Sequence, residues 1–465
     1  MFNLVPANPR GHRLNRREIS KLLFQCRTIM VQLESAKCSF LLCLGISIIF
    51  CSAIYLKAKI SNAPHASVST CQLLPENCPI LPSPTPAFRW ERQECTVNYI
   101  IHTKANCSRL RWELHFITVP LSKEEKDFPL AFIITIHKEL EAFVRLLRAV
   151  YTPQNVYCIH VDAKASADYK TSVWNLVRCF PNVFLASVSE RVTYAGFSRL
   201  KADINCMKDL MRSRVKWRRV INLCGQDFPI QTNLELVRYM RGSEWRGKNM
   251  APGVKQPSYI RHRTRLQYEE VKDSVAPRGK GQTKGPPPHN LTIYFGTAYY
   301  SLTRAFAQYV LDSAVAKDLL SWSRDTFSPD EHYWVTLNHL EDAPGSDVNG
   351  GWEGNIRAIK WKDQEGTSHW GCKGRYVRDI CIFGTGDLPW VVEKYSMFAN
   401  KFETTSFPEA LDCLELWHRH KVLQQASVPV QPSWQLITEV PESTASQPQS
   451  STSSNHGIIP VYVKL

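Results

Sequence analysis

The sequence contains fifteen cysteines but no Cys-x-x-Cys pair, the spacing that most structural zinc sites use. Zinc binding is therefore a poor explanation for them, and disulfide bonds formed in an oxidising compartment are a better one. The formal net charge is +15, yet the basic residues are dispersed and no nucleic-acid-binding motif occurs. This argues against a nucleic-acid partner and leaves a solvated basic surface or weak attraction to anionic ligands.

Long apolar runs are absent except for the 19 residues 38–56, which contain no charged side chain. At about 1.5 Å per residue, a helix of this length covers roughly 28 Å, close to the hydrocarbon thickness of a bilayer. Seven Lys or Arg residues precede the run, whereas only two lysines lie between it and Arg89. The positive-inside rule then predicts a signal-anchor transmembrane helix at 38–56 behind a cytosolic tail at 1–37. A cleaved signal peptide, with translation from Met30, is the alternative.

The rest of the chain divides by composition. Residues 57–88 contain six prolines among Ser, Thr and Ala, which is typical of a spacer, and we interpret them as a stem. Residues 425–465 are rich in Ser, Thr, Gln and Pro, which predicts a disordered C-terminal tail. One luminal catalytic domain is expected between them, at 89–424. The sequons at Asn106 and Asn290 are consistent with a secretory route.

Within this domain, short apolar runs alternate with segments of helical periodicity. Buried strands are predicted at 129–137, 155–162, 182–187 and 218–230. The apolar spacing of the intervening segments predicts helices, one of which places four residues on one face: Leu200, Ile204, Met207 and Met211. This order predicts an α/β fold with a mostly parallel sheet. The rear half adds a predicted hairpin at 292–303 and a long surface loop at 269–290.

Polar residues lie at the ends of two of the predicted strands. Asp162 is the last residue of the second predicted strand, and Asp227 lies in the polar turn with which the fourth predicted strand ends. Because ligands of parallel α/β sheets bind at the carboxyl ends of the strands, both residues are candidates for the binding site. Asp227 is predicted to bind the substrate that donates the transferred group.

The segment 328–337 (SPDEHYWVTL) combines two carboxylates with aromatic residues. Ser328 is predicted to cap a helix whose first turn begins with Pro329. Asp330 and Glu331 would lie at the positive end of this helix. An ordinary acidic first turn is the alternative, but Tyr333 and Trp334 follow, and a carboxylate beside aromatic rings suits a sugar-binding cleft. Asp330 is therefore a candidate for contact with an acceptor sugar.

The sequence also has no Asp-x-Asp, the motif with which many nucleotide-sugar enzymes hold a metal on the diphosphate. Fixed Arg and Lys side chains can neutralise such a leaving group instead. Arg378 lies within the step between Cys372 and Cys381, which is suitable for a local disulfide, and Lys401 follows in FANKFE. Composition alone would make both cations ordinary surface charges.

Several ordered blocks together resemble the β-1,6-N-acetylglucosaminyltransferase family, which includes the core 2 and I-branching enzymes. The resemblance runs from about 107 to 420 and rests on blocks that include LSKEEKDFPLAF, RLLRAVYTPQNVYCIHVD, INLCGQDFPI, DTFSPDEHYWVTLN and DLPW…FANKFE. GKNMAPGVKQP and RAIKWKD are more similar to the I-branching member. Arg378 is similar to the core 2 enzymes, since the I-branching member carries a histidine there. The chain thus resembles an atypical paralogue that is closest to the I-branching enzyme.

The resemblance implies a GT-A-like α/β domain that works without a metal cofactor. Glu331 matches the family's catalytic base, and Arg378 and Lys401 match the pair that contacts the donor diphosphate. The matched positions that line the UDP pocket are Asp162 and Tyr194. Trp361 matches a tryptophan that stacks on the acceptor. The pairings that the family implies are Cys107 with Cys179, Cys158 with Cys206, Cys372 with Cys381, and Cys413 with a stem cysteine (Cys71 or Cys78). Cys224 matches the family's free thiol near the donor site, and Cys95 and one of the two stem cysteines exceed the family set.

The function that the resemblance implies is transfer of GlcNAc from UDP-GlcNAc, with inversion, in β-1,6 linkage to a galactose- or GalNAc-containing glycan. The expected location is the Golgi membrane, with the catalytic domain in the lumen. Expected partners are the donor, a glycan acceptor and the membrane, together with a second copy or another Golgi transferase. Two alternatives remain open, namely an activity like that of peptide O-xylosyltransferase and a non-catalytic luminal protein that binds glycans.

Overall fold

The structure is a computed structural model that describes residues 78–81 and 106–436. All of these residues belong to one unit, Val68–Leu465. The predicted tail at 1–37, the predicted anchor at 38–56 and most of the predicted stem lie outside the described residues. Among the residues that are described, no helix is both long enough and apolar enough to cross a membrane.

The described chain alternates strands and helices in the order that the sequence predicts for its front half. The strands are β1 (Leu130–Ile136), β2 (Val156–Val161), β3 (Val183–Leu185), β4 (Arg219–Cys224), β5 (Asp227–Pro229), β6 (Gly253–Lys255), β7 (Tyr268–Val271), β8 (Ser274–Pro277), β9 (Tyr294–Gly296), β10 (Ser301–Thr303), β11 (Arg357–Ala358), β12 (Arg375–Val377), β13 (Ile380–Ile382) and β14 (Phe398–Asn400). The α-helices are α1 (Cys107–Glu113), α2 (Lys123–Asp127), α3 (Leu140–Val150), α4 (Ala167–Val177), α5 (Phe197–Met211), α6 (Asn233–Arg241), α7 (His262–Arg265), α8 (Arg304–Asp312), α9 (Ala314–Trp322), α10 (Tyr333–Asn338), α11 (Leu388–Val392) and α12 (Pro408–Gln424). Short 3-10 helices lie at Ser258–Ile260, Pro288–Asn290, Ser323–Asp325, Pro329–Glu331, Lys362–Gln364, Thr385–Asp387 and Pro432–Trp434.

A five-stranded sheet in the order β10-β4-β1-β2-β3 forms the centre of the fold. Strands β1 to β4 are parallel, and β10 adds an antiparallel edge. Side chains of β1 alternate between two cores, as the period of a strand requires. Phe132 and Ile134 pack with α3 and α4 on one face, whereas Ala131 and Ile133 pack with α5 and α8 on the other. The prediction of an α/β domain with a mostly parallel sheet is confirmed.

The rear half differs from the sequence expectation at two places. Strands β9 and β10 lie in the predicted hairpin 292–303 but do not pair with each other, because β9 pairs with β6 and β10 joins β4 in the central sheet. The hairpin prediction is therefore wrong. The predicted surface loop 269–290 is largely exposed, but its first part forms the hairpin β7–β8.

Four disulfide bonds join the predicted partners. They link Cys107 to Cys179, Cys158 to Cys206, Cys372 to Cys381, and Cys78 to Cys413. The last bond identifies Cys78 as the stem partner that the sequence left open. Cys224 is the free thiol within the described residues, as expected.

Helix α12 is tied to the front of the domain by buried ion pairs. Arg148 of α3 binds both carboxylate oxygens of Glu415, at 2.7 and 2.8 Å, and Arg145 pairs with Asp412. Such bidentate contacts fix geometry because the two N–H groups must align with both oxygens at once. These ion pairs hold α12, near the end of the domain, against α3, near its beginning.

The chain after α12 remains part of the domain as far as residue 436. Trp434 is 1% exposed, and the Ser427 N–H donates to the carbonyl of Leu121 at 2.8 Å. The boundary predicted at 424 therefore falls too early, because burial of the Trp434 side chain outweighs the polar composition around it.

The Asn106 sequon is exposed, and its side chain caps α1 by accepting the Ser108 and Arg109 N–H groups. Asn290 is also exposed.

Candidate active site

The first part of the site lies where the parallel strands end. Asp162 follows β2, and its N–H donates to the carbonyl of Ile136 at the end of β1 at 2.9 Å. Its carboxylate accepts the Lys164 N–H at 2.8 Å, and the residue is buried. The structure thus places Asp162 at the carboxyl edge of the sheet, as predicted.

Glu331 reaches this edge from a tight turn. Ser328 adopts a left-handed conformation (φ 47°) and makes no side-chain cap, and its N–H donates to the carbonyl of Ala195 at 2.8 Å. A helical turn does begin at Pro329, as predicted, but it is a 3-10 turn (Pro329–Glu331) without the predicted Ser328 side-chain cap, and α10 begins only at Tyr333. The turn ties Glu331 to the segment just before α5.

A salt bridge holds the Glu331 carboxylate. Arg263 Nη1 donates to Glu331 Oε2 at 2.5 Å. The guanidinium lies against the rings of Phe295 and Phe327, at 5.4 and 5.3 Å from their centroids. Arg263 could not be identified from the sequence, because it is one of three arginines in 261–265 and only the packing distinguishes it.

The environment of Glu331 suits a proton acceptor. Burial, followed by the nearby Asp330 carboxylate, raises the pKa of Glu331 to about 7, while Arg263 opposes the rise. A carboxylate with a pKa near neutrality accepts a proton more readily than an ordinary surface glutamate. Its side chain remains 34% exposed, so that a substrate can reach it.

Asp330 lies behind Glu331 and away from the solvent. It is 8% exposed, and burial raises its pKa to about 6, against the effect of Arg199, which forms an ion pair with Asp203 at 2.5 Å. This position favours an electrostatic effect on Glu331 over the predicted contact with an acceptor sugar.

Two cations form the other end of the site. Arg378 and Asp379 both have positive φ (52° and 61°) in the two-residue turn between β12 and β13, next to the Cys372–Cys381 bond. The Arg378 guanidinium lies 4.4 Å from the centroid of the Tyr194 ring, which is 63% exposed.

Burial lowers the pKa of Lys401, and the Arg378 charge lowers it further. Lys401 Nζ donates to the carbonyl of Val377 at 3.2 Å, so both cations meet at this hairpin.

Tyr194 connects the two ends. Burial raises the pKa of its hydroxyl, with Glu331 adding to the rise and Arg378 opposing it. The Arg378 guanidinium lies over the Tyr194 ring, and the carbonyl of the next residue, Ala195, accepts the Ser328 N–H of the turn that carries Glu331. The candidate base and the candidate diphosphate ligand therefore lie on either side of the Tyr194–Ala195 segment. The family resemblance predicts that Tyr194 lines the UDP pocket, and the structure places it beside Arg378.

Asp227 is an internal support. Its side chain has no exposed surface, and its oxygens accept from the Cys224 N–H, Arg357 Nη2 and Asn400 Nδ2. The prediction that Asp227 contacts the donor directly does not agree with the structure, because the whole carboxylate faces protein. Asp227 instead links the end of β4 to β14, the strand that precedes Lys401.

Trp361 lies beside the same hairpin. It forms a β-bridge with Ile380, the next N–H (Lys362) donates to the carbonyl of Asp379 at 2.8 Å, and its side chain is partly exposed. An aromatic face is thus available near Arg378, where the sequence predicted an acceptor contact.

One group of side chains in the described ranges has metal-ligand spacing, namely Cys372, Cys381 and Asp387. Its two sulfurs are joined in a disulfide, and Asp387 binds Lys360 at 2.7 Å. These residues do not fit a metal, since a disulfide offers no thiolate ligand.

The assembled site has a half-buried carboxylate and a pair of cations on either side of the Tyr194–Ala195 segment. A carboxylate can deprotonate a hydroxyl, and the cations can stabilise an anionic leaving group. This combination of fold and site fits a glycosyltransferase.

A family model described as "Core-2/I-Branching enzyme" matches residues 130–392. The chain therefore belongs to the core-2/I-branching enzyme family. A Homo sapiens relative named "Probable beta-1,3-galactosyl-O-glycosyl-glycoprotein beta-1,6-N-acetylglucosaminyltransferase 7" is 59% identical over 336 residues, which cover 72% of this chain and 78% of the relative. The Sus scrofa protein of that name is 49% identical over 424 residues, or 88% of this chain and 98% of the relative. A Homo sapiens "N-acetyllactosaminide beta-1,6-N-acetylglucosaminyl-transferase" is 52% identical over 334 residues, or 71% and 82% of the two chains.

Proposed function

We propose that this chain transfers GlcNAc from UDP-GlcNAc to the C6 hydroxyl of a galactose- or GalNAc-containing glycan, with inversion and without a metal. The observation that carries the proposal is Glu331, a half-buried carboxylate whose pKa is raised to about 7 and whose turn is hydrogen-bonded to Ala195, the residue after the tyrosine that Arg378 covers. The sugar and the linkage rest on the names of the relatives, which are β-1,6-N-acetylglucosaminyltransferases.

The reaction is a single displacement. Glu331 takes the proton of the acceptor hydroxyl as its oxygen bonds to the anomeric carbon of the donor. The bond between that carbon and the phosphate oxygen breaks, and its electron pair leaves with UDP. Attack opposite the leaving group turns an α-linked donor into a β-linked product.

The cations Arg378 and Lys401 stabilise the charge that develops on the diphosphate. They are held by a disulfide-linked hairpin and by β14, so they need little reorganisation during the reaction. Two fixed positive charges supply the neutralisation that a metal provides in other enzymes, and the sequence has no Asp-x-Asp to hold one.

We also propose a luminal Golgi location behind a type II anchor. The four disulfides support an oxidising compartment, and the apolar run 38–56 with its preceding basic residues supports the anchor. The exposed sequons at Asn106 and Asn290 agree with this route.

The proposal is tested with the full-length chain in detergent, UDP-GlcNAc, and two acceptors, core 1 disaccharide and poly-N-acetyllactosamine. We expect a β-1,6-linked product by NMR with at least one acceptor and the same rate after treatment with EDTA. UDP-xylose with a serine peptide serves as the control for the xylosyltransferase alternative. A rate that is restored only by Mn²⁺ would contradict the metal-free mechanism, and absence of transfer with every pair would contradict the enzymatic proposal.

The pH dependence of the reaction reports on Glu331. Because the base must be ionised, kcat/KM is expected to fall as the pH drops below about 7, the pKa to which burial raises Glu331. Arg263 lowers that pKa, so Arg263→Gln should move the midpoint of the acidic limb to higher pH. Arg261→Gln, an exposed neighbour, is the matched control. An unmoved midpoint in R263Q would show that another group titrates.

A further inference from the structure

One exposed tryptophan follows a backbone segment that is hydrogen-bonded to the body of the domain. Trp352 is 54% exposed, and the two residues before it bond to β6 and to His339, just after α10. The Gly253 N–H of β6 donates to the carbonyl of Gly351 at 2.7 Å, and His339 Nε2 lies 3.1 Å from the carbonyl of Gly350. A fixed aromatic face costs little conformational entropy when it binds a ligand, whereas a freely moving one would have to be ordered.

A continuous series of contacts connects this ring to the candidate base. The Trp352 ring meets Phe295 edge to face, with centroids 6.3 Å apart. Phe295 in turn stacks on the Arg263 guanidinium, which binds Glu331. Two contacts therefore connect Trp352 to the arginine that binds Glu331.

The contacts between Glu331 and Trp352 do not involve the two cations of the site. In an in-line displacement, the nucleophile and the leaving group lie on opposite faces of the anomeric carbon. Arg378 and Lys401 mark the leaving-group end, and the contacts that lead from Glu331 through Arg263 and Phe295 involve neither of them. A glycan whose hydroxyl is at Glu331 can therefore extend toward Trp352 without meeting either cation.

Two side chains, Arg263 and Phe295, separate Trp352 from Glu331. The sugar that reacts is held at Glu331, so it cannot also cover the indole ring. The next sugars of an oligosaccharide can do so, because a pyranose offers a face of C–H groups that packs on an aromatic ring and removes its apolar surface from water.

We propose that Trp352, backed by Phe295, forms a second acceptor subsite that binds a sugar beyond the one that reacts. The subsite would make the chain prefer oligosaccharide acceptors over short ones. This inference rests on the proposed transfer reaction, and it names a specificity residue that the sequence analysis did not identify.

The test compares N-acetyllactosamine acceptors of one and of three repeats with the full-length chain and its Trp352→Ala variant. We expect W352A to raise the KM for the three-repeat acceptor about tenfold, the size of a lost aromatic contact, and to leave its kcat unchanged. The KM for the one-repeat acceptor and the affinity for UDP should stay within about twofold of wild type. Trp352→Phe should retain most of the preference, since it keeps an aromatic face.

Trp174→Ala is the matched control, because Trp174 lies on α4 and is 53% exposed. Equal KM values for the long acceptor in W352A and wild type, or equal losses on both acceptors, would overturn the subsite. If wild type transfers to neither acceptor, the proposed function fails separately. Calorimetric titration of the three-repeat oligosaccharide then decides, since weaker binding by W352A supports the subsite and equal binding refutes it.

Discussion

Replacement of Glu331 by Gln is expected to lower kcat by about 10³-fold, within the range of 10² to 10⁴ that a general base contributes. Glutamine keeps the size and one hydrogen-bonding oxygen of the side chain but cannot accept the hydroxyl proton. Since the proposed mechanism puts Glu331 at the acceptor and Arg378 at the leaving group, the affinity for UDP should stay within about twofold of wild type. Single-turnover transfer and calorimetric titration of UDP measure the two effects.

A structural role for Glu331 would give a different result. If the carboxylate served only to pair with Arg263, E331Q would leave kcat nearly unchanged and lower the midpoint of thermal unfolding slightly, as loss of a partly exposed ion pair does. Glu244→Gln, in an exposed loop after α6, controls for removal of a surface charge. Loss of UDP binding in a variant that still folds would contradict the assignment of Glu331 as the base.

The four parallel strands of the central sheet could be predicted from the sequence because they are short and mostly apolar and buried. β1 is an example, since its seven residues are apolar except for Thr135 and pack into two separate cores. Such runs differ clearly from the helical periodicity of the segments between them. The disulfide partners followed from the family resemblance, and the structure then identified Cys78 as the partner of Cys413.

The features that could not be predicted depend on contacts between distant parts of the chain. β9 and β10 are close in sequence, but their partners β6 and β4 are earlier strands that local pattern does not reveal. The left-handed Ser328 is stabilised by the carbonyl of Ala195, so the expected cap does not form. Asp227 was predicted at a strand end correctly, but its burial depends on Arg357 and Asn400, more than a hundred residues later.

Replacement of Lys401 by Ala is the second change with a large expected effect. Loss of one preorganised charge at a developing anion typically lowers kcat by about 10² to 10³-fold. Because Lys401 would also contact the diphosphate of bound UDP, its affinity should fall as well, unlike in E331Q. Arg212→Ala is the control, since Arg212 is a 78% exposed cation at the far end of α5. Unchanged UDP binding in K401A would show that Lys401 does not reach the donor.

Arg378 and Lys401 should also act together. Both side chains are positioned by one hairpin, because Lys401 Nζ donates to the carbonyl of Val377, the residue before Arg378. If both bind the same diphosphate, the loss of UDP affinity in Arg378→Ala/Lys401→Ala should be smaller than the sum of the two single losses in free energy. Coupling through the hairpin alone would instead appear in thermal unfolding of the UDP-free variants. Additive losses of UDP affinity would mean that the two cations act independently, so that no shared diphosphate contact replaces the metal.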